Sequence, residues 1–257
     1  MPAPLADGER VAIMSDIHGN LTALEAVLAH IRASGISRIF NLGDLVGKGP
    51  NSAAVVDRCR EVCEMTVQGN WDADMANPAR TGWASGNWHR KQLGDERLEY
   101  LANLPGTFDF MVSGRQARLF HASERGIFER VHATAPREQL RDMFRNTPFT
   151  GPGPEPVIVG YGDIHTPYVV NFGGHTLFNV GSVGNPLDMP LACYAVLEGR
   201  LGDPAPALFS VNLVHLPYDI EAEIGLAQSS GMPHQEQYAH ELRTAEYRRR
   251  AGAAPAV

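Results

Sequence analysis

Arg10-Val11-Ala12-Ile13-Met14-Ser15-Asp16-Ile17-His18-Gly19-Asn20 runs from an apolar, strand-like stretch straight into a polar turn. Behind it Leu21, Leu24, Val27, Leu28 and Ile31 recur at helical spacing up to Gly35, which predicts a helix. The pattern then repeats. A strand over 38–42 reaches Asp44, a helix covers 52–62, and a strand over 65–68 reaches Asn70. Such βαβαβ alternation predicts parallel strands with helices on their faces. In open sheets of that kind ligands bind beyond the carboxyl ends of the strands. Asp16, Asp44 and Asn70 all fall there.

Further on, 73–104 reads as helical and rich in Trp, Arg and Gly. The segments 108–112 and 117–121 form a hairpin-like pair around Ser113-Gly114-Arg115. A helix begins near Pro136, and the Gly-Pro-Gly-Pro-Glu-Pro run at 151–156 is a turn-rich connector. Strands dominate afterwards, over 157–161, 168–171, 176–180, 192–197 and 207–216, before two helices starting near Asp219 and His234. The end at 248–257 reads as frayed. This order predicts a mixed α/β chain (α+β mixed): two mixed β-sheets packed face to face with helices outside, in a single domain over 1–257.

A chain of 257 residues with 44% hydrophobic residues can bury a sizeable core, and its composition is that of an ordinary soluble globular protein. The net charge of −7 argues against a surface that coats nucleic acid, so general nucleic-acid binding is not expected, whereas a small nucleotide substrate stays open. No run approaches the ~20 apolar residues of a membrane span, and the start lacks the basic-plus-apolar pattern of a signal peptide. No membrane partner is expected. Three cysteines form no disulfide framework, so a cytoplasmic location is expected. Cys59 and Cys63, four apart in a helical stretch, are read as packing residues.

Five clusters of ligand-type residues each follow a strand-like segment: Asp16-Ile17-His18, Gly43-Asp44, Gly69-Asn70, Phe120-His121 and Gly162-Asp163-Ile164-His165. Two neighbouring divalent ions need a bridging carboxylate with oxygen and nitrogen ligands on both sides. Asp44, with Gly43 before it, suits the bridge. Asp16 and His18 can turn onto one ion, and Asn70 can offer its carbonyl to the second ion or its amide to a phosphate. His121, Asp163 and His165 supply the remaining ligands. Each cluster alone is weak, but five in this order point to a two-metal hydrolase. The stretch from Gly43 to Lys48 looks like a phosphate loop, yet it is one residue short of the Walker spacing and lacks the following Ser/Thr. Lys48 is instead expected near the mouth of the site.

With these motifs in place, the chain resembles the calcineurin-like metallophosphoesterase family. The resemblance rests on 15–20 (Ser-Asp-Ile-His-Gly-Asn), 42–47 (Leu-Gly-Asp-Leu-Val-Gly), 69–72 (Gly-Asn-Trp-Asp), 121–123 (His-Ala-Ser) and 162–167 (Gly-Asp-Ile-His-Thr-Pro). The turn at 179–184 (Asn-Val-Gly-Ser-Val-Gly) also resembles the glycine-serine loop of the compact bacterial members. The resemblance implies a four-layer αββα sandwich and phosphoester hydrolysis by a metal-bridging hydroxide. It also implies that Asp16, His18, Asp44 and His165 hold one metal, with Asp44, Asn70, His121 and Asp163 on the other.

Two positions depart from that family's pattern. Where it usually has a histidine after the Gly-Asn pair, acting as acid on the leaving oxygen, this chain has Trp71; where it has Gly-His-x-His, this chain has Asp163 first. An indole N–H donates hydrogen bonds but no useful proton. General acid catalysis typically contributes ~10²–10⁴-fold, so substrates with stable leaving anions are expected: phosphodiesters and nucleotide polyphosphates before simple alkyl monoesters. Trp71 can offer a flat face to a nucleobase, and His89, in Trp88-His89-Arg90, is a candidate substitute acid. Asp163 brings oxygen in place of nitrogen, which favours Mn²⁺ among the two divalent ions, with Fe, Mg²⁺ or Zn²⁺ as alternatives. The expected partner is therefore a small phosphoester or nucleotide, and a homo-oligomer stays open. The alternative reading is a nucleotide-binding or regulatory module of the same fold with weak or lost catalysis.

Overall fold

A computed structural model describes residues 8–247; the frayed end expected at 248–257 lies outside the described residues. The first strand, β1 (Glu9–Met14), shows why the chain stacks two sheets. Val11 and Ile13 point into the core between the sheets, while Ala12 and Met14 pack under helices on the opposite face. A strand buried on both faces reads as a continuous apolar run, as this one does.

The elements after β1 are α1 (Leu21–Ala33), β2 (Arg38–Asn41), α2 (Ser52–Val62), β3 (Met65–Thr66), α3 (Asn70–Ala76) and α4 (Ala84–Ala102). The hairpin β4 (Thr107–Val112) and β5 (Arg115–Phe120) follows, then α5 (Arg137–Asp142), β6 (Ile158–Tyr161), β7 (Tyr168–Phe172) and β8 (His175–Asn179). The chain continues with β9 (Ala192–Gly199), β10 (Ser210–Leu216), α6 (Ile220–Ser230) and α7 (Gln235–Thr244). One five-stranded sheet has the order β10-β9-β1-β2-β3, and the other β4-β5-β6-β8-β7. Both are mixed: β1 is parallel to β2 and antiparallel to β9, while β6 is parallel to β5 and β8.

Between the sheets Val11, Ile13 and Phe40 meet Leu119, Ile158 and Phe178. Outside the first sheet, Leu24, Val27 and Leu28 of α1 and Val55, Val56 and Cys59 of α2 close one apolar layer. Outside the second, Leu140, Met143 and Phe144 pack with Val159, Tyr161 and Leu177. Helix, sheet, sheet, helix: the αββα sandwich is present.

Some boundaries differ from the sequence reading. The helical stretch over 73–104 is two helices that begin earlier, at Asn70, and break at a 3₁₀ turn over Pro78–Arg80. Asn77 caps that turn by accepting from the Ala79 N–H at 3.0 Å, and Pro78 has no N–H with which to continue α3. Inside α4, Gly94 leaves helical geometry at φ 68, which kinks the helix. Strand β3 stops after two residues, because the Gln68 N–H turns to the Pro105 carbonyl at 2.8 Å. Strand β10 starts at Ser210, not 207, where pairing with β9 begins. Among the described residues no helix is long and apolar enough to cross a membrane, and Cys59, Cys63 and Cys193 are free thiols.

Candidate metal centre

The strand exits are tied to one another by backbone hydrogen bonds, which sets the frame of the centre. Asp16 N–H donates to the Gly43 carbonyl (3.0 Å), His18 N–H to Asp44 (2.9 Å) and Gly19 N–H to Leu45 (2.9 Å). The buried Asp72 carboxylate ties in the third exit by accepting from the N–H groups of Asp44 (2.8 Å), Leu45 (2.9 Å) and Gly69 (3.0 Å). Two glycines are required by space. A Cβ on Gly69 would strike the Asp44 backbone and carboxylate, and one on Gly162 would strike Ser15 and the Asp16 carboxylate. Of nine described non-glycine residues with positive φ, five are candidate ligands: Asp16, His18, Asp44, Asp163 and His165. Left-handed backbone costs ~1–3 kcal/mol at such residues and clusters where surrounding structure enforces a function.

The side chains converge as follows. His18 Nδ1 pairs with the Val46 carbonyl (3.1 Å), His121 Nδ1 with Leu42 (2.7 Å) and His165 Nδ1 with Asn185 (2.5 Å). A ring whose Nδ1 donates to a carbonyl presents Nε2 as a lone pair, the tautomer suited to a metal. All three Nε2 atoms face inward. His18 and His165 approach to 3.1 Å Nε2 to Nε2. Asp16 Oδ1 lies 3.2 Å from His165 Nε2 and 3.7 Å from His18 Nε2. Asp44 divides its carboxylate: Oδ1 accepts from the Trp71 N–H (2.8 Å), and Oδ2 sits 3.5 Å from His18 and 3.6 Å from His121. Asn70 Oδ1 is 3.1 Å from His121 Nε2.

These residues fit divalent ions. Asp16, His18 and His165 bring ligand atoms within 4.8 Å of one another, and so do Asp16, Asp44 and His121. Asp16 Oδ1 is buried with no hydrogen-bond partner, an arrangement that is costly unless a cation takes it. Two bare nitrogens facing at 3.1 Å repel unless a cation lies between their lone pairs. Burial works against a charged His121 ring, yet the carboxylates of Asp44, Asp16 and Asp163 raise it to about 9. The cluster thus carries surplus negative charge. Asp16 reaches both groups, whereas the sequence reading put it on one ion.

At the two departures the structure adds a residue that the sequence did not suggest. Asp163 receives two parallel hydrogen bonds from Arg130, both 2.8 Å, and its Oδ1 stays 3.8 Å from His121 Nε2. It belongs to neither convergent group. Arg130 lies in the loop between β5 and α5, 33 positions from its partner, with no motif around it. Trp71 lays its ring against Gly47, where a Cβ would collide with it, and stands edge-on to His18 with centroids 5.8 Å apart. His89 is fully buried behind Trp71, edge-on to it at 6.2 Å and to Trp88 at 5.0 Å, with both ring nitrogens unpartnered. Burial leaves neither ring nitrogen of His89 open to solvent.

Burial lowers the His89 pKa to about 4. The folded value lies below the ordinary 6.5, so the unfolded chain takes the proton first. Stability is therefore full above about pH 6.5 and is lost as pH falls toward 4. Wild-type protein should lose about 2 kcal/mol more than His89→Leu between pH 7 and pH 5, read from urea unfolding. Equal losses would show that His89 is not held neutral by burial.

Against known proteins, the calcineurin-like phosphoesterase superfamily domain matches residues 10–200. The chain is 27% identical over 231 residues to the uncharacterised protein MJ0912 of Methanocaldococcus jannaschii, covering 82% of this chain and 88% of that one. It is 26% identical over 199 residues to the phosphodiesterase YfcE of Escherichia coli K12, covering 74% and 87%. Its fold is similar to the crystal structure of a metallophosphoesterase from Sphaerobacter thermophilus, with a TM-score of 0.71, 26% identity, and coverage of 93% and 100%. The matched segment begins at β1 and ends just past β9, so it takes in every candidate ligand. The chain belongs to the calcineurin-like phosphoesterase superfamily and is a phosphoesterase.

Proposed function

We propose that the chain holds two divalent ions and hydrolyses phosphodiesters or nucleotide polyphosphates. In this reading Asp16, His18, Asp44 and His165 hold one ion, and Asp44, Asn70 and His121 the other, with Asp16 within reach of both. The observation that carries the reading is the convergence of three Nε2 lone pairs on Asp16 Oδ1 and Asp44 Oδ2 in one buried space. The mixed carboxylate, carboxamide and imidazole donors suit Mn²⁺ first, with Fe, Mg²⁺ or Zn²⁺ as alternatives. Such ions supply Lewis-acid charge neutralisation and a more acidic bound water.

The chain's own groups do the positioning. Asn70 turns Oδ1 toward His121, which leaves its NH₂ to donate to a phosphate oxygen. Three carbonyls hold the imidazoles in register, and Arg130 offsets the charge of Asp163 beside an anionic substrate. With Trp71 at the acid's usual place and His89 buried against it, neither side chain supplies a proton to an alkoxide. Turnover should therefore depend steeply on the leaving group. With Mn²⁺, bis(p-nitrophenyl) phosphate should be cleaved ~10²-fold or more faster than a dialkyl phosphodiester at neutral pH. Protein that loads metal and binds nucleotide without cleaving the aryl diester would favour the binding-module reading.

A further inference from the structure

Beside the metal centre lies a small open cleft of about 170 Å³, room for a planar ring but not for a whole nucleotide. One wall is Trp71 and Trp83, whose rings meet at 80° with centroids 6.4 Å apart, forming an aromatic corner. The facing wall comes from α7 and the residues flanking it, beyond the matched family segment. It supplies Gln237 and the exposed ring of Tyr247. Ser85, at the start of α4, adds a hydroxyl. Among the described residues neither Ser85 nor Gln237 has a side-chain hydrogen-bond partner, so both present free donors and acceptors to the cleft.

Two residues that line the cleft also border the centre. Trp71 is edge-on to the candidate ligand His18. Lys48 lines the cleft and donates to Asn185 Oδ1 at 2.5 Å, while the Asn185 carbonyl holds His165 Nδ1. Lys48 also lies 3.9 Å from Glu241 of α7, which fixes its ammonium at the junction of cleft and centre.

We propose that this cleft seats the base of a nucleotide substrate, with the base in the Trp71–Trp83 corner, its polar edge on Ser85 and Gln237, and the phosphate passing Lys48 to the centre. The proposal rests on the phosphoester reading and narrows it to nucleotide substrates. Two right-angled indoles give one face to stack on and one edge to abut, which an aliphatic leaving group would not use.

The test compares AMP with ribose 5-phosphate by calorimetry on full-length, Mn²⁺-loaded protein. AMP should bind on the order of tenfold or more tightly, since base–aromatic stacking reaches that size. Trp83→Ala should bring AMP to the level of ribose 5-phosphate without changing ribose 5-phosphate itself. Gln237→Trp, which fills the cleft from the opposite wall and leaves Trp83 in place, should do the same. Equal affinities in the wild type, or discrimination that survives both substitutions, would overturn the base site. Cleavage of bis(p-nitrophenyl) phosphate by the same preparations reports on the centre separately. Active protein that ignores the base refutes this proposal alone, whereas protein that reads the base but cleaves nothing refutes the hydrolytic reading.

Discussion

Asp44→Asn is expected to lower kcat on the order of 10³-fold and to reduce bound metal, with little change in fold. Asp44 Oδ2 lies 3.5 Å from His18 and 3.6 Å from His121, so in the proposed reading it can serve both ions. Its other oxygen accepts from the Trp71 N–H, and an asparagine carbonyl can keep that bond. The substitution thus removes the bridge and spares the loop. Charge stabilisation at such a centre is worth several kcal/mol, and each ~1.4 kcal/mol is tenfold in rate. Steady-state rates with metal content measured on the same sample would check it. Near-normal kcat with full metal would remove Asp44 from the bridging role.

Arg130→Ala should raise KM for an anionic phosphodiester about tenfold, with a smaller effect on kcat. The substitution leaves Asp163, nearly buried, as an uncompensated carboxylate facing the substrate. Hydrogen bonds to charged groups are worth ~1.5–3 kcal/mol. Arg130 is 52% exposed, so solvent screening places the effect at the lower end. Adding Asp163→Asn to Arg130→Ala should restore most of the lost KM, because the repulsive charge is then gone. A double-mutant cycle reads that coupling. If the double variant is no better than Arg130→Ala, the arginine contacts substrate on its own account and Asp163 is incidental.

The layers of the sandwich were legible because β1 and its neighbours are apolar on both faces and the helices between them keep a 3.6-residue stripe. The positions of Asp16, His18, Asp44, Asn70, His121 and His165 were legible for a related reason: each is a polar ligand type directly after a strand, where the chain must turn. Arg130 was not legible. It acts through a long side chain from an irregular loop, and its partner is distant in sequence. The break between α3 and α4 was carried by Asn77-Pro78, a stop signal that the helical reading of the whole stretch passed over.

Trp71 and His89 show a different limit. Residue type said that Trp71 could not be an acid, but only the fold shows that its ring packs on Gly47 and that His89 is buried against it. His89, a candidate substitute acid in the sequence, is buried among tryptophans. The cleft was likewise out of reach, since one wall comes from α3 and the residues leading into α4 and the other from α7, some 150 residues on, and they meet only in the fold.

The central claim is a pair of ions sharing Asp44. Full-length protein saturated with Mn²⁺ and freed of excess metal should be assayed for manganese per chain, with electron paramagnetic resonance on the same sample. Two manganese per chain with a spin-coupled signal, falling to one or fewer and uncoupled in Asp44→Asn, is the expected result. A single uncoupled ion in the wild type would contradict the account.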